Sequence, residues 1–294
     1  MKTISLFCFA MFLSLVVQAQ MDIKFGFRAG GAVTSLLGPR ETDATGSELE
    51  KYNFSAKLCV GGTVSLPFND AIGLSAEVLF SQKGARYRFE TDNSYLKLPS
   101  NGQTYSGHQR IVSYNLTNGY VEIPVLFYVQ PIKERLQLDF GPSISFLVSS
   151  RALGILKYGV IDPDNPNTED FLEMEFDHKY LKDEAGALAT NSLDKVARLD
   201  QTSITYPSRL GSYYFFDEKQ GPAFSNIDFG LNFGASLFFT KGLRVGARAY
   251  YGLVDITNNN YDVQQTNLDS NNEYIFREDK DINFGIQFFI GLQF

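Results

Sequence analysis

From Asn283 to the terminal Phe294 the chain reads "NFGIQFFIGLQF". Phe284, Ile286, Phe288, Ile290, Leu292 and Phe294 occupy one phase, and Gly285, Gln287, Phe289, Gly291 and Gln293 the other. A period of two belongs to an extended strand, in which successive side chains point to opposite faces. An apolar neighbour therefore lies against one face of this strand up to the last residue.

The same alternation recurs in "IKFGFRAGGAV", "FSAKLCVGGTVSL", "IGLSAEVLFSQKG", "GYVEIPVLFYV", "LQLDFGPSISFLVS", "IDFGLNFGASLFF" and "LRVGARAYYGL", which makes eight strands with the terminal one. Strands two and three, four and five, and six and seven are joined by short turns at "PFNDA", "PIKER" and "TKG". The alternate connections are long, spanning residues 38–52, 91–110, 151–223 and 258–281. Short turns at one end and long loops at the other are the organisation of an eight-stranded antiparallel up-and-down transmembrane β-barrel, with short periplasmic turns and long extracellular loops. No linker rich in Pro or Ser divides the series, so residues 20–294 read as a single barrel unit.

The first segment, "MKTISLFCFAMFLSLVVQAQ", has one cation, a short apolar stretch and a small-residue cleavage signature. It reads as a secretory signal peptide over residues 1–19, with the mature chain starting at Gln20. Cys8 lies inside the apolar stretch rather than at its end, which excludes a lipoprotein. Removing the leader leaves Cys59 alone, so neither an internal disulfide nor a cysteine metal site is available. A net charge of -7 and a pI near 5.0 argue against nucleic acid as a partner. The expected partners are outer-membrane lipid and lipopolysaccharide around the barrel, and a protein or ligand at the outer loops.

A soluble eight-stranded barrel of the lipocalin type would turn its polar phase to water and fill it with large charged residues. Here that phase is small: Gly26, Gly30, Gly61, Gly73, Ser75, Gly141, Ser143, Ser145, Gly230, Gly234, Ser236, Gly246 and Gly285. Small residues suit the narrow interior of an eight-stranded barrel, so this phase points inward and the apolar phase meets lipid. The segments "AEVLFSQKG", "YVEIPVLFYV", "DFGPSISFLV", "DFGLNFGAS" and "YYGLVDIT", together with the final strand, resemble the PorT-like outer-membrane β-barrel proteins. The resemblance covers most strands and none of the long loops. It implies a fold and a membrane rather than a reaction.

The inward phase places Lys24, Arg28, Lys57, Arg244 and Arg248 in the lumen with Glu77, Glu122, Asp139 and Asp228. Charges withdrawn from water persist when paired, so a network across the lumen is expected, with Tyr120, Tyr128 and Tyr250 adding hydroxyls. Such a network fills the interior and favours a non-enzymatic barrel with a structural or binding role through its outer loops. A narrow passive pore is the alternative reading. A rim-sited hydrolase is the third, resting on the loop histidines His108 and His178, although no nucleophile or metal-ligand motif accompanies them. No cofactor motif is present. In the third loop, Asp162, Asp164 and Glu169, with Asn165 and Asn167, offer oxygen ligands for Ca²⁺, but the spacing is not that of an EF-hand and a solvated acidic loop is the plainer reading. The same loop is expected to hold a short helix or hairpin near residues 180–200 and at "YYFF". Pro124 and Pro142 each remove a ladder donor, which predicts a bulge or a break between strands four and five toward the outer rim.

Overall fold

The computed structural model describes residues 23–98, 103–159, 171–199 and 202–294. The leader and the proposed calcium ligands Asp162, Asp164 and Glu169 lie outside the described residues. The strands are β1 (Lys24–Leu37), β2 (Glu50–Asn53), β3 (Ser55–Pro67), β4 (Ile72–Lys83), β5 (Arg86–Lys97), β6 (Thr104–Ile132), β7 (Leu136–Gly159) and β8 (Phe171–His178). They continue with β9 (Asp194–Leu199), β10 (Thr202–Pro207), β11 (Arg209–Leu210), β12 (Ile227–Phe238), β13 (Leu243–Gly252), β14 (Val263–Leu268), β15 (Tyr274–Phe276) and β16 (Ile282–Gln293).

Eight of these close a ring in the order β1, β3, β4, β6, β7, β12, β13, β16 and back to β1, every pair antiparallel. The backbone of Phe294 exchanges two hydrogen bonds with Phe25, so the final residue completes the seam between the first and last strands. Closure leaves no open edge in the hydrocarbon, where an unpaired backbone group is costly. The outward phase is apolar and exposed, as at Phe27, Val60, Val78, Phe140, Phe233 and Phe288, while the inward phase is buried and largely polar. The chain is an eight-stranded transmembrane barrel, with its turns at the periplasmic end and its long connections outside.

The long connections are not plain loops. β6 and β7 continue far above the barrel and change neighbours on the way. β6 pairs with β4 through Asn118 and below, and with β5 from Asn115 upward. β7 likewise pairs with β12 up to Phe146 and with β8 from Ala152. An extracellular sheet in the order β2, β5, β6, β7, β8, β11 therefore grows out of the barrel wall. The change of partner falls at a β-bulge between Gly119 and Tyr120, opposite Ser149 and Leu147, and bulges of this kind re-aim a strand. β4 and β5 are one strand bent at Gly84, whose φ of +136° and close approach to the carbonyl of Leu116 exclude a side chain.

Near Pro124 and Pro142 the β6–β7 ladder passes from the Pro124–Ser143 pair to the Phe127–Phe140 pair with the register unchanged. The pairing lapses there, but the bulge itself lies further out, between Gly119 and Tyr120. The third connection carries the hairpin β9–β10 and no helix among the described residues. Part of its acidic stretch is β8, whose Leu172, Met174 and Phe176 are buried. The outward acids on that strand are paired: Glu173 with Lys157 at 3.2 Å, Glu175 with Arg209 at 2.7 Å and Asp177 with Arg151 at 2.8 Å.

Candidate functional site: a charged lumen beneath an aromatic cap

Glu77 on β4 and Arg248 on β13 stand four places apart in a ring of eight strands, the widest separation available. They meet in a bidentate pair, with Nη1 to Oε2 at 2.6 Å and Nη2 to Oε1 at 3.0 Å. The two planar groups thus meet between opposite walls of the barrel. Arg248 Nε also donates to Asp139 Oδ1 on β7 at 3.1 Å. Arg28 on β1 approaches Glu77 at 3.3 Å, donates to Gln287 Oε1 at 2.6 Å and lies 4.5 Å over the Phe289 ring. Two guanidinium groups thus face two carboxylates in one buried cluster.

A second cluster involves a cation that the sequence reading omitted. Lys83, at the upper end of β4, lies 3.2 Å from Asp228 and 3.6 Å from Glu122, and 3.4 Å from the centre of the Tyr250 ring. Asn283 donates to Asp228 at 2.9 Å. One ammonium serves two carboxylates here, and neither oxygen of Glu122 accepts a hydrogen bond among the described residues, although the residue is 0% exposed. The cavity beside Lys83 and Tyr250 measures about 10 Å³, room for one water at most. Lys83 was legible in principle, since it shares the inward phase of Ser75, Glu77 and Ser81.

Three of the expected lumen cations are placed differently. Lys24 has the inward phase but lies at the open periplasmic end, exposed, where water solvates it. Arg244 is buried without a carboxylate partner among the described residues, its guanidinium carbon about 6 Å from the rings of Phe238 and Phe289. Lys57 donates to Leu116 O at 2.7 Å, Thr117 Oγ1 at 2.6 Å and Asn115 Oδ1 at 3.1 Å, so neutral oxygens rather than a carboxylate hold it. The small inward residues have a specific use: Tyr250 lies over Gly230 and the Asp139 carboxylate over Gly234, at distances where a Cβ would collide. Cys59 is buried, 3.7 Å from Arg28.

Above the barrel, Leu36, Ala85, Leu116 and Ala152 at the tops of the wall pack with Tyr180, Tyr213, Ala223, Phe224 and Ile256. Tyr213 donates to the carbonyl of Tyr180 at 2.7 Å and accepts from the amide of Ala223 at 3.0 Å, fastening the third connection over the mouth. A second cluster, including Phe89, Leu156, Met174, Ile204 and Tyr214, joins the extracellular sheet to the β9–β10 hairpin. Between the clusters is a cavity of about 170 Å³ walled by aromatic rings, with Arg110, His178, Asp262 and Asp281 at its polar points. His178 bonds the Tyr180 hydroxyl at 3.1 Å, and burial holds its imidazole down at about 4. His108 is buried on β6, its Nδ1 3.5 Å from the Tyr158 hydroxyl.

At the outer rim Asp262, Asp279 and Asp281 converge beside Arg277, which pairs with Glu50 at 2.7 Å and Asp279 at 2.5 Å. Burial first, then the neighbouring acids, pushes Asp262 up to about 8 and Asp281 up to about 7. No periodicity signals this cluster, because its members come from irregular chain between hairpins.

A closed ring of eight strands, apolar outside, charge-filled inside and capped beyond the membrane, defines an integral outer-membrane β-barrel. The chain belongs to the outer membrane protein beta-barrel domain family, whose model matches residues 18–258. It is accordingly a protein of the Gram-negative outer membrane. Similar solved structures include Neisserial surface protein A, at 10% identity and a TM-score of 0.35, covering 92% of this chain and 97% of that one. The attachment invasion locus protein Ail of Yersinia pestis is 11% identical with a TM-score of 0.33, covering 93% and 100%. OprG from Pseudomonas aeruginosa is 10% identical with a TM-score of 0.29, covering 94% and 98%. No curated protein matches the chain.

Proposed function

We propose that this protein is a non-enzymatic, plugged barrel that anchors a packed extracellular cap in the outer membrane and acts through the surface of that cap. The observation that carries the reading is the Glu77–Arg248 pair spanning the barrel between opposite walls, with Arg28 and Asp139 completing its charge balance. The cap adds a second obstruction, since Tyr180, Tyr213 and Phe224 seal the outer mouth. Its internal cavity of about 170 Å³ is smaller than ordinary ligand pockets of roughly 300–1,000 Å³. Recognition of a macromolecular partner therefore belongs to the outer surface of the cap. His178 is buried and bonds a tyrosine hydroxyl, with no serine or cysteine nucleophile hydrogen-bonded to it among the described residues, which supports packing rather than hydrolysis. In this reading the chain is exported by cleavage of residues 1–19, and it is kin to the PorT-like proteins through the strand motifs quoted above.

Planar-bilayer recording from the purified barrel tests the proposal. The wild type is expected to show no steady conductance, and Arg248→Ala intermittent openings. Steady conductance in the wild type would sink the plug and establish the narrow pore in its place.

A further inference from the structure

Asp262 precedes β14, and Asp279 and Asp281 follow β15, so the three acids sit on the two arms of the fourth outer connection. One carboxylate oxygen from each lies within 4.8 Å of the other two. Two oxygens bound at about 2.4 Å to a common ion can stand at most about 4.8 Å apart, so none of the three separations exceeds what one calcium coordination shell spans.

Independent features point to a ligand here. Asp281 is 3% exposed, and its Oδ1 accepts no hydrogen bond from the described residues; the nearest cation, Arg40, is 3.9 Å away. The Oδ1 of Asp279 is also buried and without a hydrogen bond. Gly38 makes room for the Asp281 carboxylate, since a Cβ there would stand 2.1 Å from Oδ1. The linked carboxylates are Glu50, Asp262, Asp279 and Asp281, and the linked guanidiniums are Arg277 and Arg40. Once all four acids are ionised, as a bound cation requires, the set has an excess of two negative charges, which one divalent cation neutralises. The three converging groups supply oxygen alone, the donor of a hard cation.

We propose that Asp262, Asp279 and Asp281 form a calcium site at the outer rim, which ties the two arms of the fourth outer connection to each other. Arg277 remains the partner of Glu50 and sets one side of the site, while the ion joins the three aspartates. The site lies on the extracellular side of the barrel, where calcium modules work at roughly 0.1–1 mM.

Calorimetric titration of the mature barrel in detergent, after chelation, is the test, with thermal unfolding as a second readout. The wild type is expected to bind one Ca²⁺ per chain in that range and to unfold at a higher temperature with about 5 mM Ca²⁺ present. Asp279→Asn and Asp281→Asn keep the side-chain shape and are expected to weaken binding at least about tenfold. In chelator they should unfold no earlier than the wild type, because crowding of like charge is relieved. Absence of saturable binding to the wild type, wild-type affinity in both variants, or an equal response to Mg²⁺ would overturn the assignment.

Discussion

Arg248 shows how much a single side chain contributes when it bridges a closed ring. Its guanidinium holds Glu77 with two hydrogen bonds and Asp139 with a third, all three groups being buried. Removing it leaves buried Asp139 without a cationic partner among the described residues and Glu77 with Arg28 alone. Arg248→Ala is expected to cost about 3–5 kcal/mol in urea unfolding, the usual penalty for orphaning a buried ion partner. Glu122 is the opposite case, because it shares Lys83 with Asp228 and accepts no hydrogen bond. Glu122→Gln is therefore expected to change stability by less than about 1 kcal/mol, or to raise it, since one charge of an overloaded pair is removed. His178 supplies a pH dependence. Its imidazole is depressed from 6.5 to about 4 by burial, against the pull of Asp183 and Asp177. The unfolded cap therefore binds the extra proton first. Stability is complete above pH 6.5 and falls as the pH drops toward 4, by up to about 3 kcal/mol. His178→Phe should flatten that slope when protease resistance of the cap is followed against pH.

Among the elements, the long β6–β7 ribbon decides how the cap is held. It belongs to the barrel below the bulge at Gly119 and to the extracellular sheet above it, so the two parts share backbone hydrogen bonds without a linker. Gly84 is the corresponding hinge on the neighbouring strand. Gly84→Ala places a Cβ 2.3 Å from the Leu116 carbonyl at a φ that L-residues rarely adopt, and is expected to cost roughly 1–3 kcal/mol. Its effect should appear as faster proteolysis of the cap, with the barrel's resistance to unfolding reduced less. Strand periodicity located the eight barrel segments because each has one face against lipid. The same alternation continues above the membrane, with Tyr87 and Phe89 of β5 and Leu172, Met174 and Phe176 of β8 buried between outward charged residues, but these runs are short and lie within the long connections, where they read as loop. Residues such as Phe89, Tyr158 and Phe176 are recognisable as core only when their partners from three different connections are brought together.

For the molecule as a whole, the sorting of short turns and long connections sets its direction in the membrane. Cysteine substitution tests this directly. With a membrane-impermeant maleimide on intact cells, Lys195→Cys on the β9–β10 hairpin should react, and Lys133→Cys in the turn between β6 and β7 should not. Cys59 is buried in the barrel and gives no background. Labelling at position 133 in sealed cells would invert the topology. Strand count, closure, the lipid-facing phase and the polarity of the two ends all follow from local pattern: alternation and connection length are properties of neighbouring residues along the chain, and the bilayer imposes the same rule on every strand. Which charges meet is not local. Arg248 finds Glu77 because ring closure sets β13 opposite β4, while Lys24, of equal inward phase, lies exposed at the periplasmic end and Arg244 has no carboxylate partner among the described residues. The cap and the aspartates at its rim likewise depend on contacts between connections far apart in the chain, and only the folded ring brings those together.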